Sequence, residues 1–199
     1  MDIHTRIAQR LRELRDARGY SLEALAERSG VSRSNISLIE RGQSSPTAAV
    51  LDKLAIGLGV ALASFFDASV QAAEPPSPLI RAGDQPVWQD PASGYVRRRL
   101  SPPAPSPLQL VEVVFPAGRR VALDSAVHEA DIHQQVWLIE GAMDLSVGET
   151  TWHLQAGDCL AMRLNQPIVF HNPSRQDARY LVALATLPFP SPAPTRRTP

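Results

Sequence analysis

The chain has one cysteine, Cys159, which excludes an intramolecular disulfide and any cysteine-based zinc cluster, and which fits a reducing compartment. It has no net charge: 20 basic residues balance 20 acidic ones, so no global field announces a nucleic-acid or membrane partner and electrostatics must be read locally. Lysine is almost missing, since Lys53 is the one basic residue that is not arginine, a genomic bias without functional weight. No stretch approaches the run of about 18 apolar residues that a membrane span requires. Asp2, His4, Arg6 and Arg10 interrupt the N-terminus, so neither a span nor an export signal is expected, and the cytoplasm is the expected compartment. What remains is ordinary globular material, 199 residues with 44% hydrophobic content, enough for one large domain or two small ones.

The hydrophobic period changes along the chain. From Ile3 to Phe66 apolar residues recur at helical spacing: Ile3, Ile7, Leu11 and Leu14; Leu22, Leu25 and Ala26; Val31, Ile36 and Ile39; Leu51, Leu54 and Leu58. Gly19, Gly30 and Gly42 punctuate these stripes. Ser21 and Ser32 are placed to cap the second and third helices, and Ser45 precedes Pro46 where the fourth starts. Leu62 to Phe66 adds a short fifth. Residues 68–78 include Ala-Ala-Glu-Pro-Pro-Ser-Pro, where proline removes donors and disfavours helix, so they read as a linker. Short β-type runs follow near 110–115, 136–140, 143–147, 151–154, 159–164, 167–171 and 179–186, the pattern of an antiparallel barrel or sandwich. The expected organisation is an all-α domain (1–67), the linker, an all-β domain (79–187) and a disordered proline-rich tail (188–199).

Between Ser21 and Gly42 two short helices flank a tight turn at Gly30, and small Ala26 permits a steep crossing, as a helix-turn-helix requires to seat its second helix in a major groove. With Val31, Ile36 and Ile39 committed to a core, Ser32, Arg33, Ser34, Ser37 and Leu38 face outward. Arg33 can fork onto guanine, and Ser34 and Asn35 can reach bases or backbone. Serines at a helix N-terminus also favour phosphate. Residues 1–66 hold nine basic against seven acidic side chains, a net of +2, so a monomer should bind weakly and a homodimer is expected.

The run from Leu11 to Phe66 resembles the XRE/Cro family of helix-turn-helix regulators. The residues that carry it are Leu25-Ala26, Gly30-Val31-Ser32-Arg33, Ile39-Glu40-Arg41-Gly42, Ser45-Pro46-Thr47 and Leu54-Ala55. The resemblance implies a five-helix lambda-repressor-like bundle that binds double-stranded DNA. It implies an Arg15–Glu40 pair with a structural role, bases facing Arg33, Ser34 and Ser37, and phosphates near Ser44, Ser45 and Thr47. Ser32, Asn35 and Arg41 complete the expected interface. One departure is Leu22, where family members often carry a phosphate-binding glutamine.

Residues 108–186 resemble the cupin barrels through Gly118, Val136-Trp137-Leu138-Ile139-Glu140-Gly141, Leu154-Gln155-Ala156-Gly157-Asp158 and Asn172. The whole then resembles an XRE-cupin regulator, a DNA-binding domain with a cupin-like double-stranded β-helix that senses an effector and dimerises; repression is the commoner outcome in such a family. Catalytic cupins hold a metal with two histidines, a glutamate and a third histidine. Counting back from Gly141 and Asn172, the glutamate position is Gln134 and the last histidine position Ile168, while the first pair falls on His128 and Ala130, or on Val127 and Glu129. His133 and His171 lie at odd offsets, which turns them outward on a strand. No bound metal and no cofactor are expected, although His128, Glu129, His133 and His171 would regroup if residues 119–140 folded otherwise. The competing class is a metal-dependent cupin enzyme with an accessory DNA-binding module.

A metal-free pocket for a small organic effector is expected to draw on Gln134, Trp137, Arg163 and His171. Its signal is expected to reach the DNA-binding domains through the linker. Arg97-Arg98-Arg99 reads as a solvated strand edge or partner surface, and Cys159 as a packed core thiol.

Overall fold

The computed structural model describes residues 3–66, 77–104, 106–124 and 131–187. Residues 68–76 of the expected linker and the tail 188–199 lie outside them, as do His128, Glu129 and Ala130.

Four α-helices open the chain: α1 (Ile3–Ala17), α2 (Leu22–Ser29), α3 (Arg33–Glu40) and α4 (Ala48–Leu58). The expected fifth, Leu62–Phe66, is a 3-10 helix. Local chemistry sets the boundaries. The Ser21 hydroxyl accepts the Ala24 N–H at 3.1 Å and the Ser32 hydroxyl accepts that of Asn35 at 3.3 Å, each satisfying an amide that the first turn leaves unpaired. Gly30, at φ 68°, ends α2 in a left-handed conformation that a side chain would disfavour. The fourth start differs from expectation. Thr47, not Ser45, caps α4, accepting the Val50 N–H at 3.3 Å, because the helix begins at Ala48 and leaves Ser45 and Pro46 in the preceding loop. Ile7, Leu11, Leu25, Ile36, Leu51 and Leu54 are fully buried between the helices.

Among the described residues that follow, a short 3-10 helix (Ala82–Asp84) precedes ten strands in two antiparallel sheets. They are β1 (Val87–Gln89), β2 (Val96–Arg99), β3 (Leu108–Phe115), β4 (Arg120–Leu123), β5 (Asp131–Glu140), β6 (Ala142–Val147), β7 (Thr150–Gln155), β8 (Cys159–Arg163), β9 (Ile168–His171) and β10 (Ala178–Leu187). One sheet runs β1-β2-β3-β10-β5-β8, the other β4-β9-β6-β7. Val111, Val113, Phe115, Val136, Leu138, Leu145, Phe170, Tyr180 and Val182 fill the space between them. The seven expected strands are present. β1, β2 and β4 add to them; they are three or four residues long, and β2 reads Val-Arg-Arg-Arg, too short and too charged to show a period.

The helical domain is docked on the barrel. Asp90, after β1, accepts the Ala48 N–H of α4 at 2.9 Å while also accepting the Ser93 N–H at 2.8 Å. Asp52 of α4 accepts the Asp124 N–H at 2.6 Å. An aromatic series crosses the junction, Phe66 to Trp88 to Tyr95 to Phe115 to Tyr180, with successive ring centroids 5.4, 5.6, 5.7 and 6.4 Å apart. The triple arginine is a correction to the sequence reading. Arg97 points inward, its guanidinium 4.3 Å from the Phe66 ring centroid, and Arg99 donates to the Phe66 carbonyl at 3.0 Å. Alternation along β2 leaves Arg98 as the outward member, beside Glu112.

Candidate DNA interface and junction cavity

The turn between α2 and α3 is held from inside. Ser29 donates to the Leu25 carbonyl at 2.7 Å and its oxygen accepts the Val31 N–H at 3.2 Å, so the chain leaves α2 at a fixed angle. Buried Ile36 and Ile39 fix the roll of α3. Arg15 clamps the far end, its Nε 2.6 Å from one Glu40 oxygen and its Nη2 2.9 Å from the other, and its Nη1 donates to the Tyr20 carbonyl at 2.9 Å. This is the pair that the family resemblance implies. The hydrogen bond to Glu40 raises the Arg15 pKa above its ordinary value.

On the outward side Ser32, Arg33 and Ser34 are exposed and Asn35 and Ser37 half-buried. Arg33 lies 3.5 Å from Glu23, with both side chains about two-thirds exposed (64% and 69%), a pair that water screens and a ligand can displace. Arg41 donates to the Ser37 carbonyl at 3.2 Å. Ser44 is half-buried and Ser45 exposed in the loop before α4, where the Ser45 hydroxyl lies 2.7 Å from His4 Nδ1. That contact adds the start of α1 to the same surface, and no local signal in the sequence announces it. Ser32 and Thr47 already accept cap hydrogen bonds through their oxygens, and the Ser32 hydroxyl also lies 3.2 Å from that of Ser34, where either can donate. Leu22 packs partly buried against the core.

The barrel and the helical domain together line a partly open cavity of about 90 Å³. Gln134 lines it. Trp137, Arg163 and His171 do not, and parity is the reason: Gln134, Val136 and Leu138 point inward on β5, so Trp137 points out and is 47% exposed. Met162 is the inward neighbour of Arg163 on β8. His171 lies on the outer side of the second sheet, 3.6 Å from Asp144, which bonds His153 at 2.7 Å. Cys159 is exposed rather than packed, for the same reason. Missed from the sequence were the lining residues Asp52, Ala61, Leu62, Ala63, Tyr95 and Arg97, which topology alone brings together. Of the metal-ligand positions, Gln134 and Ile168 line the cavity, but an amide and a hydrocarbon do not form such a site. His133 points outward. Among the described residues no three His, Cys, Asp or Glu side chains are grouped to hold a metal ion, and no helix is long and apolar enough to cross a membrane.

A helix-turn-helix beside a barrel of two antiparallel sheets is the architecture of a DNA-binding transcriptional regulator of the helix-turn-helix class. Residues 11–65 match the family model HTH_3, helix-turn-helix. The chain is similar to the HTH-type transcriptional regulator SutR of Escherichia coli, with 29% identity over 170 residues, covering 85% of this chain and 89% of SutR. It is also 29% identical to PuuR of the same species over 184 residues, covering 88% and 92% of the two chains. The crystal structure of an HTH_3 family transcriptional regulator from Vibrio cholerae superposes with a TM-score of 0.70 at 26% identity, covering 95% of this chain and 98% of that one.

Proposed function

We propose that the protein binds a two-fold symmetric DNA site as a homodimer through α3, acts there as a repressor, and is governed by a small-molecule effector in its barrel. The observation that carries the reading is α3 itself: one side is locked by Ile36, Ile39 and the Arg15–Glu40 clamp, and the other offers Ser32, Arg33, Ser34, Asn35 and Ser37 to a groove. Arg41, Ser44, Ser45 and Thr47 flank that helix at phosphate positions.

The outer face of the six-stranded sheet supports the dimer. Strand register sets Leu181 beside Trp137 and Trp137 beside Cys159, with Ala183 and Ala161 on either side of Gln135 in the next row. Trp137 and Cys159 are exposed, Leu181 and Ala183 half-buried, and Arg179 with Glu112 and Glu140 forms a charged rim. An apolar centre inside a polar rim is the anatomy of a protein interface.

The test is selection of bound genomic fragments, followed by titration of the recovered site with wild type and Arg33→Ala at two salt concentrations. A short palindromic site, weakened by about 1–3 kcal/mol in the variant, is the expected result. Binding indifferent to sequence and to Arg33 would overturn it. A reporter fused to the site reads the sign: expression should rise when the gene is deleted. An enzyme reading lacks support, because the metal-ligand positions hold Gln134 and Ile168.

A further inference from the structure

Binding to a duplex draws much of its strength from cations set against phosphates, and the helical domain is short of free cations. Residues 1–66 hold nine basic against seven acidic side chains, and several of the arginines are already engaged. Arg10 lies 3.1 Å from Glu13, Arg15 is clamped to Glu40, and Arg33 stands 3.5 Å from Glu23. The barrel presents further cations beside this domain.

An open cleft of about 410 Å³ separates the start of α4, at Thr47, Ala48 and Ala49, from the run Gly118-Arg119-Arg120 that leads into β4. Its width is set by the fold, because Asp52 holds the Asp124 N–H at one end of β4 and Asp90 holds the Ala48 N–H. Alternation along β4 buries Val121 and turns Arg120 outward, and Arg119 and Arg120 are both exposed. Among the described residues neither guanidinium has an ion-pair partner or a hydrogen-bond acceptor. The nearby acids are otherwise engaged. Asp90 is buried and bonds Ala48 and Ser93, and Asp177 accepts the Ala117 N–H at 3.0 Å. Asp144, in the cross-sheet row that continues Arg120 and His171, bonds His153 at 2.7 Å. Since Asp90 already takes the first amide of α4, the free positive charge of the cleft is that of the two arginines.

Position selects the partner. Thr47 forms one lip of the cleft, and Ser44 and Ser45 precede it in the loop that leads from α3, so the arginines continue the surface that α3 offers to DNA. The cleft is too open to enclose a small ligand, whereas a phosphodiester backbone needs no enclosure. We propose that Arg119 and Arg120 contact the DNA backbone beside the half-site read by α3, which makes the barrel part of the DNA-binding surface. Phosphate contacts carry affinity and register but no sequence information, so this surface sets how tightly the protein binds while α3 sets where. Because the two sets of contacts belong to different domains, the docking of α4 on β4 fixes their spacing. The proposal rests on the DNA-binding reading above and adds a second element to it.

The experiment titrates the full chain, across a salt series, with the DNA site recovered by wild type and flanked by about one helical turn, roughly 10 base pairs, on each side. Arg119→Gln with Arg120→Gln should lower the slope of log K against log salt by about two per protomer. Binding should weaken by about tenfold or more, equally for the recovered site and for unrelated DNA, whereas Arg33→Ala lowers the preference for the site. Arg119→Lys with Arg120→Lys keeps both charges and should keep the slope. Methylphosphonate replacement of one phosphate at a time locates the contact. Neutralising a phosphate in the flank should cost wild type about fivefold and the double glutamine variant nothing. Both residues are exposed, so the variants should unfold at the wild-type midpoint. An unchanged slope and affinity in the glutamine variant overturns the proposal and leaves the α3 reading standing. Weaker binding without any phosphate whose neutralisation loses its effect in the variant also overturns it, because the charge then acts at a distance. Wild type that selects no site removes the regulator reading and this proposal with it.

Discussion

Arg15 and Glu40 are 12% and 9% exposed and tie α1 to the last turn of α3, so each is costly to leave alone. Glu40→Ala leaves a guanidinium that water reaches poorly with only the exposed Asp16 carboxylate and the Tyr20 carbonyl and should cost about 2–3 kcal/mol in denaturant unfolding, whereas the double change Arg15→Met with Glu40→Leu should regain most of it. The tyrosines behave differently. Tyr95 and Tyr180 ionise with difficulty when folded because burial penalises the phenolate, and both pKa values are raised from the ordinary 10.0. A raised folded-state pKa means that the stability is intact below pH 10 and is lost as pH climbs above it. Absorbance at alkaline pH should therefore show these two phenols ionising together with loss of the fold. At this scale the sequence was informative where the chemistry is local: Ser21 and Ser32 sit where a helix begins, and their caps involve residues three positions on. Arg97 was not legible, because a triple arginine looks solvated until one learns that Phe66 lies above its first member.

Gly57 shows how element packing overrides propensity. It sits inside α4, where alanine would favour helix by about 1 kcal/mol. A Cβ there would come within 2.9 Å of Ser29 Cβ and 3.1 Å of the Ser29 backbone, and that backbone is the end of α2. Gly57→Ala should therefore destabilise by about 1–2 kcal/mol net and tilt α2, weakening DNA binding beyond the stability loss; a higher melting temperature would show that the helices can separate at no cost. The outer face of the six-stranded sheet carries a second expectation. Leu181→Asp places a charge at the centre of the proposed dimer face, so sedimentation should report a monomer, the Cys159 thiol should react faster, and binding to a palindromic site should fall by about tenfold or more. Strand period revealed the long strands because Val136, Leu138 and Leu145 alternate with outward residues. The same parity, applied to Trp137 and Arg163, places them outside the cavity.

For the whole molecule, the helical domain and the barrel are in direct contact. Asp90 bonds the first amide of α4 and the β1–β2 turn, Asp52 bonds the backbone after β4, and the aromatic series runs from Phe66 into the barrel without a break. The contacts that cross the junction could not be read from sequence, since Asp90 with Ala48, Asp52 with Asp124 and Phe66 with Trp88 each join residues more than 20 apart and neither aspartate differs locally from a surface one. The consequence is thermodynamic. Two domains sharing a core and buried carboxylate bonds should unfold together, so calorimetry of the wild type should give one transition whose van't Hoff and calorimetric enthalpies agree. Asp90→Ala removes the acceptor for the Ala48 amide and for Ser93, at a cost of about 2–3 kcal/mol, and should split that transition or broaden it. Two separate wild-type transitions would mean that the junction contacts are too weak to couple the domains, and an effector in the barrel could then move α3 only through the chain that joins them.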